Sequence, residues 1–178
     1  MKIYTKKGDG GETGLIGGHR VQKSDPRISA LGDIDELNAA LGLCMFHAQG
    51  SECRSILDHL QWAAFSIGAE IAAPEERRKE YEATGLQHLT ASMEDWIDRH
   101  TELMPELKSF VLPGGTILAA HLHLARAVCR RTERSLVALS DLRPELLVFI
   151  NRASDWLFCA ARYANFESEV EDVLWTGE

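Results

Sequence analysis

Arg126, Arg130 and Arg134, in the stretch ARAVCRRTER, recur every four residues and so share one stripe of a helix. Cations at that spacing repel one another unless an anion or a carboxylate lies among them. A polyphosphate would meet that demand. The alternative is a solvated basic face near a helix C-terminus, where the dipole favours cations. Glu133, three residues after Arg130, can orient that guanidinium, and Arg131 lies off the stripe. A second anion-binding set opens the chain. The segment IYTKKGDGGETGLIGGHR holds six of the fourteen glycines: Gly8, Gly10, Gly11, Gly14, Gly17 and Gly18. Bare amides in such a segment can turn inward on an anion, because glycine permits the necessary turns. Thr5, Thr13 and Lys23 add hydroxyls and an ammonium, and Asp9 can hold a cation or fix the loop. No Gly-Lys-Ser/Thr follows and no strand–helix–strand unit surrounds the segment, so it is not a Walker A loop. A frayed terminus is the competing reading.

Two further clusters are polar. GDIDELNAALG carries Asp33, Asp35 and Glu36, with Asp33 and Glu36 one turn apart. Such carboxylates are usually exposed. The functional alternative is an ion pair to an arginine of the stripe-bearing helix, in the same chain or a neighbouring one. NRASDWLF places Asn151 and Asp155 one turn apart, so both can point into one cleft; otherwise they are surface groups beside buried Trp156 and Leu157. Metal chemistry is poorly supported. His121 and His123 are two residues apart and face different ways, and neither HExxH nor Glu-x-x-His occurs. No serine, histidine and aspartate set stands out.

The elements that must position these groups are helical. Apolar residues Ile28, Leu31, Ile34, Leu37, Leu41 and Met45 predict a first helix after Ser24 or Asp25, with Pro26 in its first turn and an end near Gly50. A second is expected from about Ser51 to Pro74, a third from Thr84 to Leu103, a fourth from Thr116 to Ser140 and a fifth from Pro144 to Glu167. PEERRKEYEATG is charged and unpatterned and reads as a surface loop. Brief strand pairing is conceivable only at Lys2–Thr5 and Gly14–Ile16, and the tail VEDVLWTGE is undecided between irregular and extended. Short connections imply antiparallel neighbours. The expectation is an all-α single domain over 1–178: an N-terminal loop (1–24), a five-helix up-and-down bundle (25–167) built on a four-helix core, and a tail (168–178).

With 178 residues the chain can bury about 70% of its unfolded surface, so it needs no staples. The net charge of −8 argues against nucleic-acid binding and makes a local basic stripe informative. Cys44, Cys53, Cys129 and Cys159 show no CxxC spacing and sit in apolar surroundings, which predicts reduced, buried thiols. With no apolar run near the ~18 residues of a membrane span and no signal-peptide core at the start, a cytoplasmic protein away from membranes is expected.

Taken in order, YTKKGDGGETGL, Lys23, GDIDELNAALG, FVLPGGT, ARAVCRRTER and NRASDWLFCAARYAN resemble the PduO-type ATP:cob(I)alamin adenosyltransferases. The resemblance spans nearly the whole chain outside residues 72–84 and the tail. It implies a homotrimer of five-helix subunits with ATP between neighbours. It also implies transfer of the 5′-deoxyadenosyl group of ATP to cob(I)alamin, giving adenosylcobalamin and triphosphate. Position by position, it assigns Thr5, Lys6, Lys7, Gly8, Asp9, Thr13, Gly14 and Lys23 to the ATP loop, with Lys7 standing where the family commonly has threonine or another small residue. Arg130, Glu133, Arg134 and Asn151 match ATP-contacting positions, with Mg²⁺ near Glu133. Asp35 and Arg126 match an intersubunit ion pair, and Phe110 matches the phenylalanine on the lower axial side of the corrinoid. Without the resemblance, Phe110 reads as a core side chain capping the fourth helix. A reductase and an adenosylcobalamin-dependent acceptor enzyme are the implied partners. A non-catalytic, ATP-sensing helical trimer is the alternative function.

Overall fold

The computed structural model describes residues 2–177. Helix α1 (Pro26–His47) starts where the sequence places it: the Asp25 carboxylate accepts the Arg27 amide at 2.8 Å, and Pro26 needs no partner in the first turn. Such a cap contributes about 1 kcal/mol. The other long helices are α2 (Cys53–Ala72), α3 (Leu86–Thr101), α4 (Ile117–Val137) and α5 (Pro144–Glu167). Thr116 caps α4 by accepting the Ala119 amide at 3.1 Å. Gly85, at φ +76°, turns the chain into α3.

The helices pack in the order α2–α1–α4–α5–α3, and α2 closes the ring through α3 and α5. Neighbours α1 and α2 are antiparallel: Gln61 donates to the Asn38 carbonyl and Arg54 to the Met45 carbonyl. One core fills the interior, with Trp156, Phe149, Leu41, Leu57, Leu122 and Leu136 fully buried. α5 is the most enclosed helix; its segment from Cys159 to Asn165 is buried on every side.

Three features depart from the sequence reading. First, the connection after α2 is not an open loop but a tight helical segment, Glu75–Tyr81. It is stapled at its far end by Glu70, only 2% exposed, which accepts the Ala83 amide at 2.8 Å and the Arg143 guanidinium at 2.7 and 2.9 Å. At its near end Arg78 and Arg27 share the Asp141 carboxylate. Second, Lys2–Thr5 forms no strand. The N-terminal ladder joins β1 (Glu12–Gly14) to β2 (Arg20–Gln22), antiparallel with Thr13 opposite Val21. Gly17 and Gly18, at φ +85° and +86°, make the reversal. Third, the tail pairs with FVLPGGT through an antiparallel bridge between Val111 and Leu174.

Candidate functional site

The N-terminal strap is built by its own backbone. Lys6 enters a left-handed turn at φ +60°, the Asp9 amide reaches the Lys6 carbonyl at 3.4 Å, and the Gly11 amide reaches Gly8 at 3.3 Å. The Lys23 amide then donates to the Gly11 carbonyl at 2.8 Å, so Lys23 returns to the turn. A Cβ on Gly8 would sit 3.4 Å from Lys23 Nζ. The predicted ammonium and the predicted glycine turn are therefore adjacent. Thr5 Oγ1 accepts the Lys7 amide at 3.4 Å, and the Lys7 carbonyl accepts from Arg20 at 2.8 Å. The side chains of Lys6, Lys7 and Asp9 face solvent. Thr13 and Gly14 line an open cavity of about 540 Å³ together with Leu31, Gly32 and Asp35 of α1, a size that suits a small-molecule ligand.

On α4, Arg130 and Arg134 are exposed on the predicted stripe, and Arg134 donates to the Arg130 carbonyl at 2.9 Å. Arg126 is different. Its guanidinium lies 5.7 Å from the Phe158 ring centre, and its Nε is buried with no hydrogen-bond partner among the described residues. Burial, and then neighbouring Arg130, pull it below the usual guanidinium range. Asp35 makes no ion pair among the described residues and does not meet Arg126 within the chain. The arginine that does hold the α1 carboxylates is Arg131, which bonds Asp33 at 3.0 Å and also Glu36. Its off-stripe position, noted in the sequence, is what turns it toward α1.

Glu133 does not orient Arg130. Its Oε1 accepts from Asn151 Nδ2 at 3.0 Å, joining α4 to α5. Asn151 and Asp155 bond to different partners: Asp155 pairs with Arg152 at 2.5 Å, and Arg152 also reaches Glu94 at 2.8 Å. No hydrogen bond or ion pair among the described residues joins the strap to the α4 stripe.

Phe110 is not a core side chain. It is 77% exposed, with its ring 6.2 Å from that of Trp175. The segment that carries it is nevertheless tightly held. The Phe110 carbonyl accepts the Trp175 amide at 2.8 Å, the Leu112 amide donates to Val173 at 2.8 Å, and Ser109 Oγ donates to the Trp175 carbonyl at 2.7 Å. Downstream, buried Asn165 accepts the Thr116 amide at 2.9 Å and donates to the Gly114 carbonyl at 3.2 Å. Gly115 lies so close to the Asn165 carboxamide that any Cβ would collide with it, at a φ of +99°. The tail, undecided in the sequence between irregular and extended, completes this site; its run of Val173, Leu174 and Trp175 is the local signal for an extended segment.

The arrangement offers two surfaces whose groups could hold an anion and a presented aromatic, and its thiols are not activated. Burial pushes Cys44 and Cys129 up to about 12 and Cys53 up to about 11. His123 is 3% exposed with neither ring nitrogen bonded among the described residues, and burial followed by Arg126 holds it below the ordinary imidazole range. Among the described residues no three His, Cys, Asp or Glu side chains gather as a metal site, and no helix is long and apolar enough to cross a membrane.

A family described as cobalamin adenosyltransferase matches residues 3–164. The corrinoid adenosyltransferase of Bacillus subtilis is 41% identical over 180 residues, covering 97% of this chain and 91% of that protein. The corrinoid adenosyltransferase PduO of Citrobacter freundii is 39% identical over 177 residues; the match covers 98% of this chain, which spans about half (53%) of that longer relative. Among solved structures, a phenylalanine-to-alanine variant of a PduO-type ATP:corrinoid adenosyltransferase from Lactobacillus reuteri, complexed with cobalamin and ATP, superposes with a TM-score of 0.91. It is 38% identical, and the match covers 99% of this chain and 100% of that one. An arginine-to-lysine variant of the Lactobacillus enzyme, complexed with ATP, gives 0.87 at 38% identity, covering 97% of this chain and 99% of that one.

Proposed function

This chain belongs to the cobalamin adenosyltransferase family, and on that premise we propose that it transfers the 5′-deoxyadenosyl group of ATP to cob(I)alamin. The cobalt electron pair attacks C5′, a cobalt–carbon bond forms, the C5′–oxygen bond breaks, and triphosphate departs with that bond's electrons. Cob(I)alamin is already a strong nucleophile, so the reaction needs no general base. That agrees with thiols held protonated by burial.

What the protein must supply is alignment and stabilisation of the leaving group. The strap amides, Thr5, Lys6, Lys7, Asp9, Thr13 and Lys23 hold the nucleotide from one side, and Arg130, Arg134 and Asn151 from the other. One donor aimed at developing charge is worth about 3 kcal/mol. Mg²⁺ would be held by the triphosphate oxygens with Glu133 nearby. A single carboxylate fits that ion, which is commonly bound by one or two carboxylates plus substrate phosphates. It would supply further charge neutralisation.

Among the described residues no hydrogen bond or ion pair joins the two halves of the nucleotide site within one chain, which supports a homotrimer in which the strap of one copy meets the stripe of the next. Arg126, a half-buried cation whose Nε is unbonded among the described residues, gains its anion from Asp35 of a neighbouring copy. The observation that carries the functional reading is Phe110, an exposed ring on a firmly held segment. Pressed on the lower face of the corrinoid, it keeps the fifth ligand off cobalt, and four-coordinate cob(II)alamin is easier to reduce. A reductase must supply that electron, and an adenosylcobalamin-dependent enzyme consumes the product.

Anaerobic mixing of protein, ATP, Mg²⁺ and chemically reduced cobalamin tests the proposal. The expected result is the light-sensitive spectrum of adenosylcobalamin with release of triphosphate. ATP binding without turnover would replace the transferase by a nucleotide-sensing trimer.

A further inference from the structure

Resting on that reading, we infer that Asp172 is a positioning residue for Phe110. Through Arg162 and Asn165 it fixes the tail strand against which the Phe110 segment is built.

Asp172 is a tail residue, yet its side chain is only 14% exposed and that of Arg162 only 8%. One carboxylate oxygen accepts from Arg162 Nε at 2.7 Å, and the other from Asn165 Nδ2 at 3.1 Å. Both partners also hold the structure around Phe110. Arg162 donates to the Pro105 carbonyl at 2.8 Å, tying down the connection that leads into the segment. Asn165 binds the Gly114 carbonyl and the Thr116 amide, tying down its exit. The residues just after Asp172 supply the middle: Val173 accepts from Leu112, and Trp175 donates to Phe110 itself. One carboxylate therefore locks three approaches to a single ring.

Beyond Asp172 the tail is held by its short pairing with the Phe110 segment and by Ser109 Oγ on the Trp175 carbonyl. Glu171, Val173, Leu174 and Trp175 are exposed, and a short two-stranded pairing is marginal in water by itself. Asp172 also sets its register. A slip of one residue would turn every tail side chain to the opposite face, and Trp175 would leave the Phe110 ring. The bundle core contains none of Phe110, Asp172 or Trp175. This latch is therefore not needed to fill the interior; what it determines is where an exposed aromatic sits.

The test uses the full chain with Asp172→Ala and Asp172→Glu. Each is assayed twice, from cob(II)alamin with a reductant and from chemically prepared cob(I)alamin. Electron paramagnetic resonance of bound cob(II)alamin with ATP reports the four-coordinate fraction. Because misplacing a positioned group by ~1 Å can cost up to about a hundredfold, Asp172→Ala should lose at least about tenfold from cob(II)alamin. It should lose much less from cob(I)alamin, and the four-coordinate signal should fall. Asp172→Glu, which keeps the charge for Arg162, should recover part of both. Should Asp172→Ala fail to fold, Trp175→Pro removes the amide donated to Phe110 from a half-exposed residue and should give the same split. Equal losses in both assays, or an unchanged four-coordinate fraction, would overturn the inference while leaving the transferase reading intact. Wild-type protein inert toward cob(I)alamin would sink that reading and this one together.

Discussion

The strap and the Phe110 segment are both glycine-bearing loops, yet they are held in opposite ways. The strap is fastened by short-range backbone bonds, Lys6 to Asp9, Gly8 to Gly11, Gly11 to Lys23, and by a three-residue ladder. The Phe110 segment is fastened by long-range bonds to buried Asn165 of α5 and to a tail anchored by Asp172. A loop that must wrap a flexible polyphosphate gains from amides that can adjust. An aromatic that must exclude a ligand from one face of a metal has to stay in place. On the proposed function, the way each loop is held matches what it would grip.

Phe110→Ala puts the contrast between the two loops under the most severe test. If the fixed ring serves reduction, turnover from cob(II)alamin should drop by about a hundredfold, with a much smaller loss when cob(I)alamin is supplied. Parallel losses in the two assays would show that the ring does not act on the axial ligand. Next come the glycines. Gly115→Ala meets the Asn165 carboxamide at φ +99° and should lower stability by about 2 kcal/mol or more in urea unfolding. Gly10→Ala has open space around it and should change stability by less than about 0.5 kcal/mol. A reversal of that order would mean that the strap is the pinned element.

Arg130→Ala sharpens the nucleotide side. It should cost about 2 kcal/mol in kcat/KM for ATP, since a charge-assisted bond to phosphate is lost, and leave the four-coordinate cob(II)alamin signal of ATP-saturated protein unchanged. The smallest effect is a control. All four thiols are buried, and burial raises Cys44 and Cys129 to about 12. The native protein and both glycine variants, below their unfolding midpoints, should resist alkylation at pH 8, with four thiols reacting after unfolding. Reaction in the native state would show that loop changes reach the core.

The helices were legible because apolar spacing and the caps at Asp25 and Thr116 are local signals. The stripe of Arg126, Arg130 and Arg134 was legible for the same reason. What sequence could not supply was pairing over distance. Glu133 looked matched to Arg130 three residues away, but its partner Asn151 lies on another helix. The segment Glu75–Tyr81 looked unpatterned because its order comes from Glu70, Arg143 and Asp141 outside it. Phe110 alone read as core, since nothing local reveals that the tail arrives to hold its backbone while leaving the ring in solvent.

If the strap of one copy meets the stripe of the next, as proposed, a subunit with a ruined strap still carries a sound stripe, and the reverse holds as well. Protein lacking Lys23 function and protein lacking Arg130 function, each inert alone, should regain part of their turnover when unfolded together and reassembled as hybrids. Heredity would register the same geometry as two defective alleles that rescue each other.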